Sequence, residues 1–121
     1  MSDSAHRLVV SLHLHYREFT SRRDGMIFAM DGGLWLHRHV WKGTPMAHLV
    51  STDRVRLLEY GHQVGLPGER LQFKPLKDPR TGIRRDAWHW DLLGRYLPQR
   101  VVVDAHLVLL VEKSSGGSDT R

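Results

Sequence analysis

The sequence predicts a small single-domain α+β fold, with four to five strands in a partly antiparallel sheet, one main helix and a short second helix. Apolar residues alternate with period two in several stretches, which argues for half-buried strands. One stretch, about 52–64, carries helical spacing between a start and a stop signal. A length of 121 residues suffices for one modest core and not for two. Residues 1–113 are expected to form the domain and 114–121 a polar tail.

The alternation begins at once. Leu8, Val10, Leu12, Leu14 and Tyr16 fall on one face of a strand expected from Arg7 to Arg17, with His13 and His15 on the other. Ser21-Arg22-Arg23-Asp24-Gly25 reads as a turn, since Asp-Gly favours a tight reversal. Met26–Met30 then reads as a short buried strand that ends at Asp31-Gly32-Gly33 and presents the acid at a sheet edge. From Leu34 to Trp41 the alternation returns, placing Trp35, His37, His39 and Trp41 together, opposite Leu34, Leu36 and Val40. A turn at Gly43-Thr44-Pro45 leads into Met46–Val50.

Ser51, Thr52 and Asp53 are three consecutive N-cap residues. Val55, Leu57, Leu58, Gly61 and Val64 follow as one helical face, leaving His62 exposed. Gly65 and Pro67 supply the stop. Leu71-Gln72-Phe73 predicts a brief extended piece; Leu92, Leu93, Tyr96 and Leu97 predict a short helix ended by Pro98. Val101–Val111 is β-prone.

Composition narrows the chemistry. The chain has no cysteine, so thiolate metal sites, disulfides and a cysteine nucleophile are excluded, and any metal must be held by histidine and carboxylate. No apolar run approaches the ~20 residues of a membrane span. Met1-Ser2-Asp3-Ser4 lacks the basic and apolar regions of a secretory signal, so a cytoplasmic location is expected. Eighteen basic residues against thirteen acidic ones leave a formal charge of +5, which favours polyanionic partners. The basic residues cluster at Lys74, Lys77, Arg80, Arg84 and Arg85, around Pro75, Pro79 and Gly82, as a loop leading into Trp88. No helix-turn-helix, zinc-finger or RNA-recognition signature accompanies them.

Trp88-His89-Trp90-Asp91 is the segment with most chemical content. If it is extended, His89 and Asp91 project together and the two tryptophans project oppositely. His89 and Asp91 then form an acid–base or metal-ligating pair, or a buried histidine held in one tautomer by a carboxylate.

Ile27-Phe28-Ala29-Met30-Asp31, Ala47-His48-Leu49-Val50-Ser51, the stretch from Leu57 to Leu66, Leu71-Gln72-Phe73 and His89-Trp90-Asp91 occur in an order and spacing of their own. Across about 26–96 the chain thereby resembles the short bacterial and phage proteins of the domain of unknown function 4031 family. The resemblance implies a polar site at Asp31, His48, Gln72, His89 and Asp91 and implies no particular reaction. The chain departs from that pattern in three places. Gly32 stands where a second aspartate is frequent, Trp90 replaces a tyrosine, and the basic helix after the last motif is reduced to Arg95.

Two functional expectations follow. In the first, Asp31, His48, His89 and Asp91 form a catalytic centre, and His48, His89 and Asp91 hold zinc or manganese for hydrolysis of a phosphodiester or nucleotide. Gln72, Arg84, Arg85, Trp88 and Trp90 would then contact the substrate. In a metal-free version, His89 is the base and Asp91 orients it, or, since same-strand neighbours rarely hydrogen-bond each other, Asp31 from another strand does. In the second, the basic loop and tryptophans form a non-catalytic module that binds nucleic acid or a protein complex. A plain hydrogen-bond network that fixes the fold is the competing structural account.

Overall fold

The computed structural model describes residues 15–99. It shows a small α+β domain with a five-stranded mixed sheet, a two-stranded sheet and two helices. Strands β1 (Tyr16–Arg17), β2 (Leu34–Trp41), β3 (Thr44–Ser51), β7 (Trp88–Leu93) and β4 (Gln72–Phe73) lie side by side in that order. β1 runs parallel to β2, and the remaining neighbours are antiparallel. β5 (Leu76–Lys77) and β6 (Arg84–Arg85) form a separate hairpin. Of the strand expected from Arg7 to Arg17, Tyr16 and Arg17 are present as β1 and His15 lies just before it; residues 7–14, Val101–Val111 and the tail lie outside the described residues.

The two helices cover opposite faces of the sheet. On one face Leu34, Leu36, Ala47, Leu49, Trp90 and Leu92 pack against Leu57 and Tyr60 of helix α2 (Arg54–Val64). Asp53 caps that helix, accepting the Arg56 backbone N–H at 3.0 Å, and Gly65 ends it in the left-handed region. The buried stripe is Leu57, Tyr60 and Gly61; Val55 and Val64, expected to share it, are exposed, as is His62. Gly61 is where the sheet comes closest, because a Cβ there would overlap the Trp90 indole.

The other face is half covered. Helix α1 (Arg22–Met30) crosses its near end, where Ala29 packs with Trp35 and Val50, flanked by Phe19, Met26, Phe28 and Leu76. α1 corrects the expected turn at 21–25 and strand at 26–30. Ser21 is its N-cap, accepting the Asp24 N–H at 3.2 Å. Gly25, the apparent turn residue, is a helical glycine pressed against Trp35, whose ring would overlap any Cβ. Short helices draw most of their stability from tertiary packing, and here that packing outweighs the local turn signal.

Two boundaries also move. The β2–β3 turn is Lys42-Gly43, with φ 49° and 79°, the positive-φ pair that a two-residue type I′ hairpin needs. Pro45 therefore lies in β3, opposite Val40, and not in the turn. At the other end, Leu92 and Leu93 belong to β7, and the expected short helix is a single 3-10 turn at Gly94–Tyr96.

Candidate functional site

The hairpin turn sets which side chains meet on the half-covered face. With Trp41 opposite Thr44, counting back places His37 opposite His48, and β7 adds Asp91 opposite His48. His37, His48 and Asp91 thus form one row across three strands. Beside it, towards α1, run Trp35, Val50, His89 and Gln72; on the outer side run His39, Met46 and Leu93. Cross-strand neighbours on one face lie close enough for direct side-chain contact.

The contacts are direct. His48 Nδ1 lies 2.8 Å from Asp91 Oδ1, and His89 Nε2 lies 3.3 Å from the same oxygen. Gln72 Nε2 donates to Asp91 Oδ2 at 2.7 Å. The far nitrogen of His48, Nε2, lies 2.9 Å from His39 Nε2. His37 stacks between Trp35 and His39, with ring centroids 5.0 and 6.1 Å away. The site is neither sealed nor open, since the His48 and Asp91 side chains are 33% and 34% exposed and His89 is 14% exposed.

This setting shifts the site's titrations. Burial would raise the Asp91 pKa, but hydrogen bonds from Gln72 and His48 and the adjacent His89 and His48 charges outweigh it, leaving the group below the usual carboxylate value. Burial holds His89 below the ordinary histidine value; Asp91 opposes that, while His48 and Lys74 reinforce it. Burial lowers His37 too, aided by Arg22, His48 and His39.

His48, His89 and Asp91 form a group able to hold a metal ion, with one donor atom from each and all three within 4.8 Å of one another. Tetrahedral zinc separates its donors by roughly 3.3 Å, and His89 Nε2 and Asp91 Oδ1 already stand 3.3 Å apart. The donor set of two imidazoles and one carboxylate suits zinc or manganese.

The other candidate residues fall elsewhere. Asp31 caps the end of α1 and is gripped by Arg80, whose Nη2 donates to Asp31 Oδ1 at 2.8 Å. Asp91's own histidines come from the same strand and from β3, so Asp31 is not the carboxylate that orients His89. Trp88 and Trp90 project to the opposite face: Trp90 is 1% exposed and donates its indole N–H to the Leu57 carbonyl at 2.7 Å. Trp90 is thus a core residue and has no surface on which to stack a substrate.

The basic loop is an ordered hairpin. Asp78, 3% exposed, organises it by accepting from the Arg80 backbone at 2.9 Å and side chain at 3.1 Å, and Arg85 lies 3.8 Å away. The Arg80 bonds hold the Asp78 carboxyl below its ordinary pKa. Arg84 Nη1 donates to the Pro75 carbonyl at 3.3 Å, and both Arg84 and Arg85 remain exposed.

Three residues at the site lay outside the expected set. His39 was readable as a strand-face histidine, but its pairing with His48 depends on a turn placed one residue earlier than the Gly43-Thr44-Pro45 pattern suggests. Positive charge reaches the histidines from Arg22, which acts on His37 and whose guanidinium lies 5.9 Å from the Trp35 ring centre, and from Lys74, which acts on His89. No protein-family model, curated protein or solved structure matches the chain. No helix among the described residues is long and apolar enough to cross a membrane.

Proposed function

We propose that this protein is a metal-dependent hydrolase of phosphodiesters or nucleotides, with His48, His89 and Asp91 as the metal ligands. The supporting observation is the meeting of these three donors, from two adjacent strands, on a partly open sheet face. A divalent ion bound there would lower the pKa of a bound water and supply a nucleophile near neutral pH. Gln72 holds Asp91 in place through its second oxygen, as outer partners of metal-ligating carboxylates commonly do. Burial keeps the His89 ring disposed towards its neutral, ligating form. Lys74 and Arg22 supply positive charge beside the centre for an anionic ester, with exposed Arg84 on the neighbouring hairpin. The likeness to the domain of unknown function 4031 family points to the same positions, with Asp31 left to a structural role at the end of α1.

The test is hydrolysis of bis(p-nitrophenyl) phosphate by metal-stripped protein resupplied with zinc or manganese. Activity that returns with metal and is lost in His48→Ala and Asp91→Ala supports the assignment; no metal-dependent turnover overturns it.

Exposed aromatic residues favour a second role, that of a non-catalytic nucleic-acid-binding module. Trp41 is 54% exposed with the Lys42 ammonium 4.7 Å from its ring centre, and Phe73 is 57% exposed beside Lys74. Aromatic platforms beside cations hold single strands by stacking and phosphate contact. Salt-dependent binding to single-stranded DNA that weakens in Trp41→Ala and Phe73→Ala supports that role, and binding unaffected by either substitution contradicts it.

A further inference from the structure

We infer that His39 is a positioning residue of the metal centre, an outer partner that must donate to His48 when the site is empty and accept from it when the site is filled. The inference rests on the metal assignment above and concerns a residue outside the ligand set.

The geometry leads to it stepwise. Asp91 accepts at both oxygens, from Gln72 at Oδ2 and from His48 Nδ1 at Oδ1. A neutral His48 that donates from Nδ1 has only a lone pair at Nε2. The partner 2.9 Å from that lone pair is His39 Nε2, which must then carry the hydrogen. Imidazole Nδ1 is the atom that faces Asp91 and His89, so it is also the atom a shared metal would take. Metal at Nδ1 would displace that hydrogen to water, leaving a ring that needs a new hydrogen at Nε2 to stay an imidazole. His48 receives it from His39 Nε2, and His39 takes its replacement at Nδ1 from water. The pair gains and loses no net hydrogen, and the 2.9 Å contact survives with its direction reversed. Metal-ligating histidines characteristically donate their second N–H to such a partner.

Few side chains can reverse roles in this way. Glutamine can, by turning its amide; glutamate can only accept, which suits the filled site; leucine does neither; lysine can only donate, which suits the empty site. His39 is half-buried at the outer side of the row, so these exchanges leave the core intact.

The experiment is zinc titration of the full chain against a chromophoric chelator, comparing wild type with His39→Gln, His39→Glu, His39→Leu and His39→Lys, each first checked for native circular dichroism. Expected is near-wild-type affinity for Gln and Glu and a loss of about 10- to 100-fold for Leu, with Lys weaker still. Nitrogen-15 spectra of wild type should show the His39 hydrogen moving from Nε2 to Nδ1 as zinc is added. Equal affinity across the series, or a His39 tautomer unchanged by zinc, overturns the inference and leaves the ligand assignment standing. Failure of the wild type to bind zinc overturns both.

Discussion

His48 and Asp91 stand directly opposite each other on adjacent antiparallel strands, with His48 Nδ1 2.8 Å from Asp91 Oδ1. The pair is local in space and distant in sequence, and the sheet's register alone brings it together. Asp91→Ala removes the acceptor for both His48 and Gln72. Because the pair is about one-third exposed, water takes over much of the lost bonding. Urea denaturation should show a loss of only about 1 kcal/mol, alongside abolished metal binding. A loss several times larger would mark the network as a structural keystone in its own right.

The opposite face should behave as core. Trp90→Ala empties a site that is 1% exposed and removes the bond to the Leu57 carbonyl, so a loss of about 3–5 kcal/mol is expected. Gly61→Ala forces a methyl group into the Trp90 ring and should cost about 1–3 kcal/mol. Chemical denaturation of both variants checks this. Near-neutral effects would show that α2 does not sit against β7 as described.

Acid should weaken the fold, and the sign follows from three groups. His37 and His89 have folded pKa values below the ordinary 6.5, so below pH 6.5 the unfolded chain binds more protons than the folded one. Stability therefore falls as pH drops from 6.5 through their lowered values. Asp91, also held below its ordinary 3.8, adds a further loss under pH 3.8 as the pH passes through its folded value. The urea midpoint should decline below pH 6.5 and again below pH 3.8, and His37→Gln should flatten the first of these declines. An unchanged slope in that variant would contradict the burial of the His37 ring.

Arg80 ties the β5–β6 hairpin to the end of α1 through Asp78 and Asp31. Arg80→Ala should lower the urea midpoint more than Arg84→Ala and should increase proteolysis within the hairpin. Equal sensitivity of the two variants would show that the Asp31–Arg80 link carries little.

Much of the fold was legible in the chain, and the failures have physical causes. Trp88-His89-Trp90-Asp91 reads correctly as a strand with its tryptophans turned away from His89 and Asp91, because period-two alternation is a strong signal. The α2 caps, Asp53 and Gly65, are equally plain. α1 was hidden by Gly25, whose value is a close approach to Trp35 and not a turn. The convergence of His39, His48 and Asp91 was hidden because strand pairing is non-local. A shift of the hairpin turn by one residue changes which residues oppose. Asp31 read as a site acid because a carboxylate before two glycines suits a sheet edge; its engagement by Arg80, 49 residues away, has no local signature.

Zinc stoichiometry at neutral pH, measured by isothermal titration of metal-stripped protein, bears most directly on the metal centre. One saturable zinc per chain is expected, lost in the His48→Ala/Asp91→Ala double variant while circular dichroism stays native. Saturable binding that survives the double substitution, or none in the wild type, would contradict the assignment of His48, His89 and Asp91 as its ligands.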